Sequence, residues 1–337
     1  MFDRVLLTGI SGFLGGHIGL ALLNAGYTVR GSVRNLSKAD KVRATLSAAG
    51  ADVSRLEFVV LDLLDDTGWG SSVVDCRYLI HSASPFVLRA PADEMALIRP
   101  AVAGTRRAIM AAVAAHIERV VLTSSIAAIQ YGHAGDEKVL SEADWTSPSS
   151  PNTSPYARSK TLAEQEAWAL MTAAGRRDDL AVINPGMILG PLLDDGLGTS
   201  ALLIQRLLGG RLPGLPRIAL SVVDVRDVAA LHVKALTDPV AGGQRCIAVA
   251  ETLSMRAIAQ VLAPAFPQRR VPSWEVPDWL VRIAGLFDRD IGDNLPELGI
   301  IRRFQSDRAT KLLGHPLIAA GPAAIATGQS LEQHGLL

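Results

Sequence analysis

Only two cysteines, Cys76 and Cys246, occur in 337 residues. Two thiols cannot make the disulfide framework of a small secreted protein. They suit small buried apolar side chains in a reducing, cytoplasmic compartment. Neither charge is in surplus, because 33 Lys and Arg face 33 Asp and Glu. That excludes the basic excess of a nucleic-acid binder and a long acidic or basic tail. No uncharged apolar run reaches the roughly 20 residues that span a bilayer. The longest candidate, 97–115, is interrupted by Arg99, Arg106 and Arg107. The opening MFDRVLLTG has no basic stretch followed by a long apolar run and a cleavage site, so no secretory signal is expected. No His, Cys and Asp set has metal-ligand spacing, so no metal is expected. No internal repeat is evident. With 49% hydrophobic and 20% charged residues, the chain is too apolar to be disordered. A soluble, cytoplasmic protein of one large domain or two ordinary ones is expected, with no nucleic-acid or membrane partner.

Short β-branched runs alternate with longer helical patterns. Residues 5–8, 28–33, 56–61, 77–81, 120–124 and 181–184 read as strands. They are almost continuously apolar, as strands covered on both faces are. Between them, 14–24, 38–49, 98–115 and 155–174 carry apolar residues at a spacing near 3.6. This β-α-β-α order predicts an α/β fold with a doubly wound parallel sheet. After Gly190 the rhythm changes. Residues 221–225 and 246–250 read as strands and 228–236 as a helix. The remainder is irregular and mostly helical, with Pro264, Pro267, Pro272 and Pro277 as punctuation. The expected division is a dinucleotide-binding Rossmann domain of 1–190 and 219–250, with a smaller, mostly helical substrate lobe of 191–218 and 251–337. Trp274 and Trp279 are expected to pack in the core of that lobe, the alternative being a membrane-surface or dimer patch. The stretch TSPSSPNTSP at 146–155 precedes a helix inside the sheet domain, which points to an active-site loop.

The segment Thr8-Gly9-Ile10-Ser11-Gly12-Phe13-Leu14-Gly15 follows the first strand and opens the first helix. Gly9 allows a sharp turn, Gly12 a close approach to a pyrophosphate, and Gly15 tight packing of helix on strand. The helix N-terminus then offers N–H groups and a positive dipole end to phosphates. Sites selective for the unphosphorylated ribose place an acidic residue at the end of the second strand. Here that strand reads Thr28-Val29-Arg30-Gly31-Ser32-Val33-Arg34, with Arg34 at its end and Lys41 one to two turns further on. A guanidinium fits a 2′-phosphate bidentately. Such a contact is worth about 1.5–3 kcal/mol, or roughly 10- to 150-fold in preference. NADP(H) is therefore the expected cofactor; Arg30 points elsewhere. Asp62, with Leu63 beside it, either accepts from the adenine amino group or caps a turn. The small residues Ser82, Ala83 and Ser84 after the fourth strand would let the dinucleotide pass over the sheet edge. His81 is expected to be a packed strand residue.

Tyr156-Ala157-Arg158-Ser159-Lys160 opens the helix after the Pro/Ser loop, and i, i+4 spacing puts phenol and ammonium on one face. A phenol of ordinary pKa near 10 is a poor proton donor–acceptor at neutral pH. A fixed ammonium beside it favours the phenolate; lowering the pKa by about 3 units takes about 4 kcal/mol. Tyr156 is then placed to give a proton to a carbonyl oxygen as hydride arrives from the cofactor. Lys160 also suits the nicotinamide ribose. Ser125, in Thr123-Ser124-Ser125 at the ligand-binding end of the preceding strand, is placed to hold the substrate oxygen.

Together these pieces resemble the extended short-chain dehydrogenase/reductases, and within them the dihydroflavonol reductase, cinnamoyl-CoA reductase and yeast aldehyde reductase group. The matching segments are TGISGFLG at 8–15, GSVRNLSKADKV at 31–42, HSASP at 81–85, VLTSS at 121–125, YARSK at 156–160, NPGMILGP at 184–191, VDVRDVA at 223–229 and SDRATKLLG at 306–314. The resemblance implies a catalytic Ser125–Tyr156–Lys160 set and 2′-phosphate contacts at Arg34 and Lys41. It also implies a cofactor amide pocket at Pro185, Gly186, Met187 and Ile188, a further contact at Ser200, and a substrate side with Phe86, Gln130 and Leu192. Val87 and Ile126 are further apolar lining candidates. One departure stands out: many such reductases carry Asn in the helix before the serine strand, where this chain has Ala103. The implied activity is NADPH-dependent reduction of bulky, aromatic ketones or aldehydes by a monomer or homodimer. The alternatives are an NAD-dependent nucleotide-sugar epimerase or dehydratase, and a non-catalytic dinucleotide-binding redox sensor. The second lobe has no basic cluster to hold a sugar diphosphate.

Overall fold

The computed structural model describes residues 3–85, 93–133, 138–210, 212–292 and 294–337. The strands are β1 (Arg4–Thr8), β2 (Thr28–Val33), β3 (Leu56–Val60), β4 (Tyr78–His81), β5 (Arg119–Thr123), β6 (Val139–Leu140), β7 (Leu180–Pro185), β8 (Met187–Leu189), β9 (Ala219–Asp224), β10 (Gln244–Ala248), β11 (Glu251–Ser254) and β12 (Arg303–Phe304). The helices are α1 (Phe13–Asn24), α2 (Ala39–Ala48), α3 (Trp69–Ser72), α4 (Met95–Ala114), α5 (Pro155–Ala173), α6 (Thr199–Leu208), α7 (Val225–Thr237), α8 (Met255–Ala265), α9 (Asp278–Ala284), α10 (Arg289–Gly292), α11 (Asp307–Leu313) and α12 (Ala320–Gln333).

Among the described residues the main sheet runs β10-β7-β5-β4-β1-β2-β3, with every pairing parallel. The doubly wound α/β fold expected from the apolar runs is what forms. Val5, Leu6 and Leu7 of β1 are fully buried because both faces of the sheet are covered. One face packs β1, β2 and β7 residues with Ile18 and Leu22 of α1 and Val228 and Leu231 of α7. The other packs Leu79, Val120 and Val182 with Ile109 of α4 and Met171 of α5. The chain reverses its direction of strand addition at β1, which lies between β2 and β4. Ligands of such sheets bind outside the strand C-termini at that switch point.

A second sheet, β11-β9-β8, carries its own core with α6, α8 and α12, including Leu189, Ile204, Leu262 and Leu331. Its strands Ala219–Asp224 and Glu251–Ser254 pair antiparallel, joining stretches on either side of the sequence boundary at 250. One sequence expectation needs correction. Trp274 and Trp279 are 51% and 62% exposed rather than packed in a core. The helix α9 is only 7 residues long and buries Val281 alone, which leaves Trp279 on its open side, while Trp274 lies over Gly214, next to Val276, at the surface. Phe86 and Val87 lie outside the described residues. Cys76 is half-buried and Cys246 buried, both free; burial pushes their thiols up to about 11 and about 12, away from reactive thiolate. Among the described residues no helix is long and apolar enough to cross a membrane.

Candidate active site

The turn after β1 is built as its glycines require. Gly9 adopts φ +77°, the left-handed region, and a Cβ there would stand 2.9 Å from the Ala83 backbone. A Cβ on Gly15 would lie 2.0 Å from the Gly9 carbonyl oxygen, so only glycine lets α1 start this close to the strand. Gly12 is the N-cap of α1; no side chain caps it and no acidic residue sits in the first turn. The helix terminus is thus left open to an anion. Ser11 is exposed, and Phe13 and Leu14 are half-buried at the same end. Thr8 is fully buried. Its hydroxyl accepts from the N–H groups of Ser82 and Ala83 at 3.1 and 3.0 Å and meets His81 Nδ1 at 2.8 Å. With both lone pairs taken, Thr8 donates to Nδ1, which leaves the proton of the neutral imidazole on Nε2. Burial first, and the charge of Lys160 second, push the His81 pKa down to about 3. His81 is therefore the packed strand residue expected, and it ties β4 to β1 below Ser82, Ala83 and Ser84.

At the end of β2, Arg34 is exposed and has no ion-pair or hydrogen-bond partner among the described residues. Arg30 is committed elsewhere, to Glu57 at 2.7 Å and to the carbonyls of Ser72 and Val74. Lys41 reaches across to the loop after β8, contacting Asp195 and, at 3.6 Å, Asp194. Asp62 Oδ1 accepts from the Leu64 N–H at 2.8 Å, a turn-capping bond, and Leu63 packs over Gly104 of α4. Pro185 is buried at the end of β7, followed by half-buried Gly186, Met187 and Ile188; Ser200 is half-buried in the first turn of α6. On the substrate side, Ile126 and Leu192 are 8% and 6% exposed and Gln130 is half-buried. Leu192 belongs to the second core, with its N–H bonded to Ser330 Oγ at 2.9 Å.

Ser125 and Tyr156 come together, and Lys160 follows Tyr156 one turn along α5. Ser125 follows β5, and its Oγ accepts from the Ala127 N–H at 3.1 Å, which leaves its proton free beside Tyr156. Pro155 at N1 and the Ser154 side chain, accepting from the Ala157 N–H, start α5 at the right point. Tyr156 is 47% exposed, open to the crevice. Contrary to the lowering expected from a nearby ammonium, desolvation of the phenol raises its pKa in the free protein, and Ser125 opposes that rise. Lys160, half-buried, has its pKa pushed down to about 8 by burial, with Glu164 opposing. Its ammonium makes no hydrogen bond or ion pair among the described residues. An open helix N-terminus, an unpaired guanidinium and an unpaired ammonium along one crevice fit a phosphorylated dinucleotide. Ala103 is half-buried in α4, so no amide stands where the family's Asn would.

Behind these residues lies a buried cluster absent from the sequence-derived set: Ser124, Glu164, Asn184 and Arg245. Glu164 is fully buried and pairs with Arg245 at 2.6 Å. Its sequence signal was the face it shares with Tyr156 and Lys160, two turns and one turn earlier.

This strand–glycine turn–helix and Tyr-x-x-x-Lys architecture defines a dinucleotide-binding enzyme class. The chain belongs to the NAD dependent epimerase/dehydratase family, whose model matches residues 5–250. The resemblance to the extended short-chain reductases is borne out by its relatives. Cinnamoyl-CoA reductase CAD2 of Medicago truncatula is 33% identical over 276 residues, 80% of this chain and 82% of that protein. Ketoreductase azaE of Aspergillus niger is 32% identical over 320 residues, 89% of this chain and 93% of that protein. Yeast methylglyoxal/isovaleraldehyde reductase Gre2, solved with NADPH, superposes with a TM-score of 0.80 at 25% identity, over 99% of this chain and 100% of that one. A nucleoside-diphosphate-sugar epimerase from Pseudomonas aeruginosa, at 18% identity and a TM-score of 0.77, shares the fold alone.

Proposed function

We propose that this protein is an NADPH-dependent carbonyl reductase acting on bulky, aromatic ketones or aldehydes. The observation that carries the proposal is the meeting of Ser125 and Tyr156, with Lys160 one turn along the same helix, at a crevice whose far end presents unpaired Arg34. Relatives named for cinnamoyl-CoA and ketone reduction, and a neighbour solved with NADPH, support it. NADPH, when bound, supplies the hydride. The α1 N-terminus would hold its pyrophosphate, Arg34 and Lys41 its 2′-phosphate, and Lys160 its nicotinamide ribose.

Ser125 donates a hydrogen bond to the substrate carbonyl oxygen and holds it beside Tyr156. Tyr156 then passes its phenolic proton to that oxygen as negative charge develops there. Lys160 stabilises the phenolate left behind. A phenol is protonated at neutral pH, so the resting protein is poised to act as the acid, which is the reducing direction. The substrate would lie between the Rossmann part (1–190 and 219–250) and the second lobe (191–218 and 251–337), against Ile126, Gln130 and Met187.

Incubation with a panel of aromatic ketones, diketones and aldehydes, followed by NADPH absorbance, tests the assignment. Oxidation of NADPH with several aromatic members, and far slower oxidation of NADH, is expected. No turnover across the panel, or protein that purifies with NAD bound and shows no preference for NADPH, would overturn it.

A further inference from the structure

The catalytic end of the crevice rests on a buried ion pair. Glu164 is fully buried and Arg245 is 6% exposed. Each carboxylate oxygen of Glu164 is saturated. Oε1 accepts from Arg245 Nε at 2.6 Å and from Trp168 Nε1 at 3.3 Å. Oε2 accepts from Ser124 Oγ at 2.5 Å, Asn184 Nδ2 at 2.8 Å and Arg245 Nη2 at 3.4 Å. Arg245 is held in turn by the carbonyls of Ala128, Glu142 and Asp144, and its guanidinium stacks on Trp145 with Cζ 3.8 Å from the ring centroid.

One side chain therefore joins α5 to the ends of β5, β7 and β10. Ser124 is the residue before Ser125, and Asn184 Nδ2 also donates to the Ser125 carbonyl at 3.2 Å. Along α5, Tyr156, Lys160 and Glu164 follow at i, i+4 and i+8, on one face. A buried ion pair is a poor device for stability alone, because desolvation offsets most of its attraction. Its place here, bonded to the neighbour of one catalytic residue and one turn from another, points to the reaction.

We propose that Glu164 is a positioning residue, which fixes the Ser125 end of β5 through Ser124 and Asn184 and supplies the anionic neighbour of Lys160. The proposal rests on the catalytic reading of Ser125, Tyr156 and Lys160. The groups that act on Lys160 are Glu164, one turn along α5, and neutral His81 from β4; Arg245 of β10 stands behind Glu164 and offsets part of its field.

The test uses the full chain and two variants. In Glu164→Gln, the pH midpoint at which Lys160 reacts with acetic anhydride, followed by mass spectrometry, should fall by about half to one pH unit from its value near 8. The direction follows because a neighbour that favours the charged form has been removed. Ser124→Ala keeps the ion pair intact. It should leave the Lys160 midpoint in place and lower kcat on the order of tenfold with NADPH and an aromatic diketone, with KM changed less than twofold. A purely structural role would lower the melting temperature of both variants and move neither readout. An unmoved Lys160 midpoint in folded Glu164→Gln, or an unchanged kcat in Ser124→Ala, would overturn the proposal; the second decides if Glu164→Gln does not fold. Absence of turnover in the unaltered protein would instead sink the reductase assignment, and the labelling experiment would still decide the place of Glu164.

Discussion

At one end of the crevice, Arg34 stands exposed without a partner among the described residues, and Lys41, 58% exposed, touches only the acidic side chains of the loop after β8. At the other, Glu164 and Arg245 are buried and every oxygen of the carboxylate is used. Exposed charges are screened within about 8 Å at physiological salt and keep their freedom to meet a ligand. Buried, saturated charges are screened little and hold their neighbours in one arrangement. Under the proposed function the difference would match two tasks: one end would select a phosphate, and the other would keep the reacting groups in register.

Each prediction presses on that contrast. Replacing Lys160 by Met should lower kcat on the order of 10²- to 10³-fold, with NADPH affinity, read by fluorescence titration, weakened far less. Arg34→Leu should raise the Kd of NADPH by roughly 10- to 150-fold and leave that of NADH unchanged; its NADPH binding should also lose much of its salt dependence. A comparable loss for both cofactors would mean that Arg34 does not read the 2′-phosphate.

Acid should weaken the fold through two buried histidines. Burial pushes His81 and His232 down to about 3 and about 4, and each accepts a threonine hydroxyl, from Thr8 at 2.8 Å and Thr123 at 2.7 Å. Their folded pKa values lie below the unfolded value near 6.5, so the unfolded chain binds the extra protons. Stability is full above about pH 6.5 and is lost as pH falls towards 4, on the order of 3 kcal/mol for each histidine. Urea midpoints measured from pH 7 to pH 4 would show the decline; a flat profile would contradict the neutral, threonine-bonded imidazoles. In the alkaline direction, turnover should fall about tenfold per pH unit above the Lys160 midpoint of about 8, because the ammonium is present only below it. The smallest effect is expected at the exposed pair: Lys41→Ala should change NADPH affinity by only about two- to fivefold.

The same contrast explains what the sequence could and could not tell. The β1–turn–α1 unit and the Tyr156–Lys160 pair are local patterns, set by spacing along the chain, and both formed where expected. Glu164 and Arg245 are separated by 81 positions. A glutamate on a helix reads as solvated until the strand that carries its partner is in place. Short strands such as Met187–Leu189 were missed because three residues show no period. Trp274 and Trp279 were misplaced because a large aromatic favours burial only where an element offers something to cover. The capping bond to Asp62 was equally legible as a ligand contact, since one Asp at a strand end serves either use.

The most direct test of the central claim is Tyr156→Phe, which removes one oxygen from the crevice and leaves the ring. Turnover of the reducible carbonyl should drop by about 10² to 10⁴, while NADPH binding, followed by fluorescence, stays within about threefold of the unaltered protein. Full turnover in Tyr156→Phe would show that the proton comes from elsewhere, and the account of this site would fail with it.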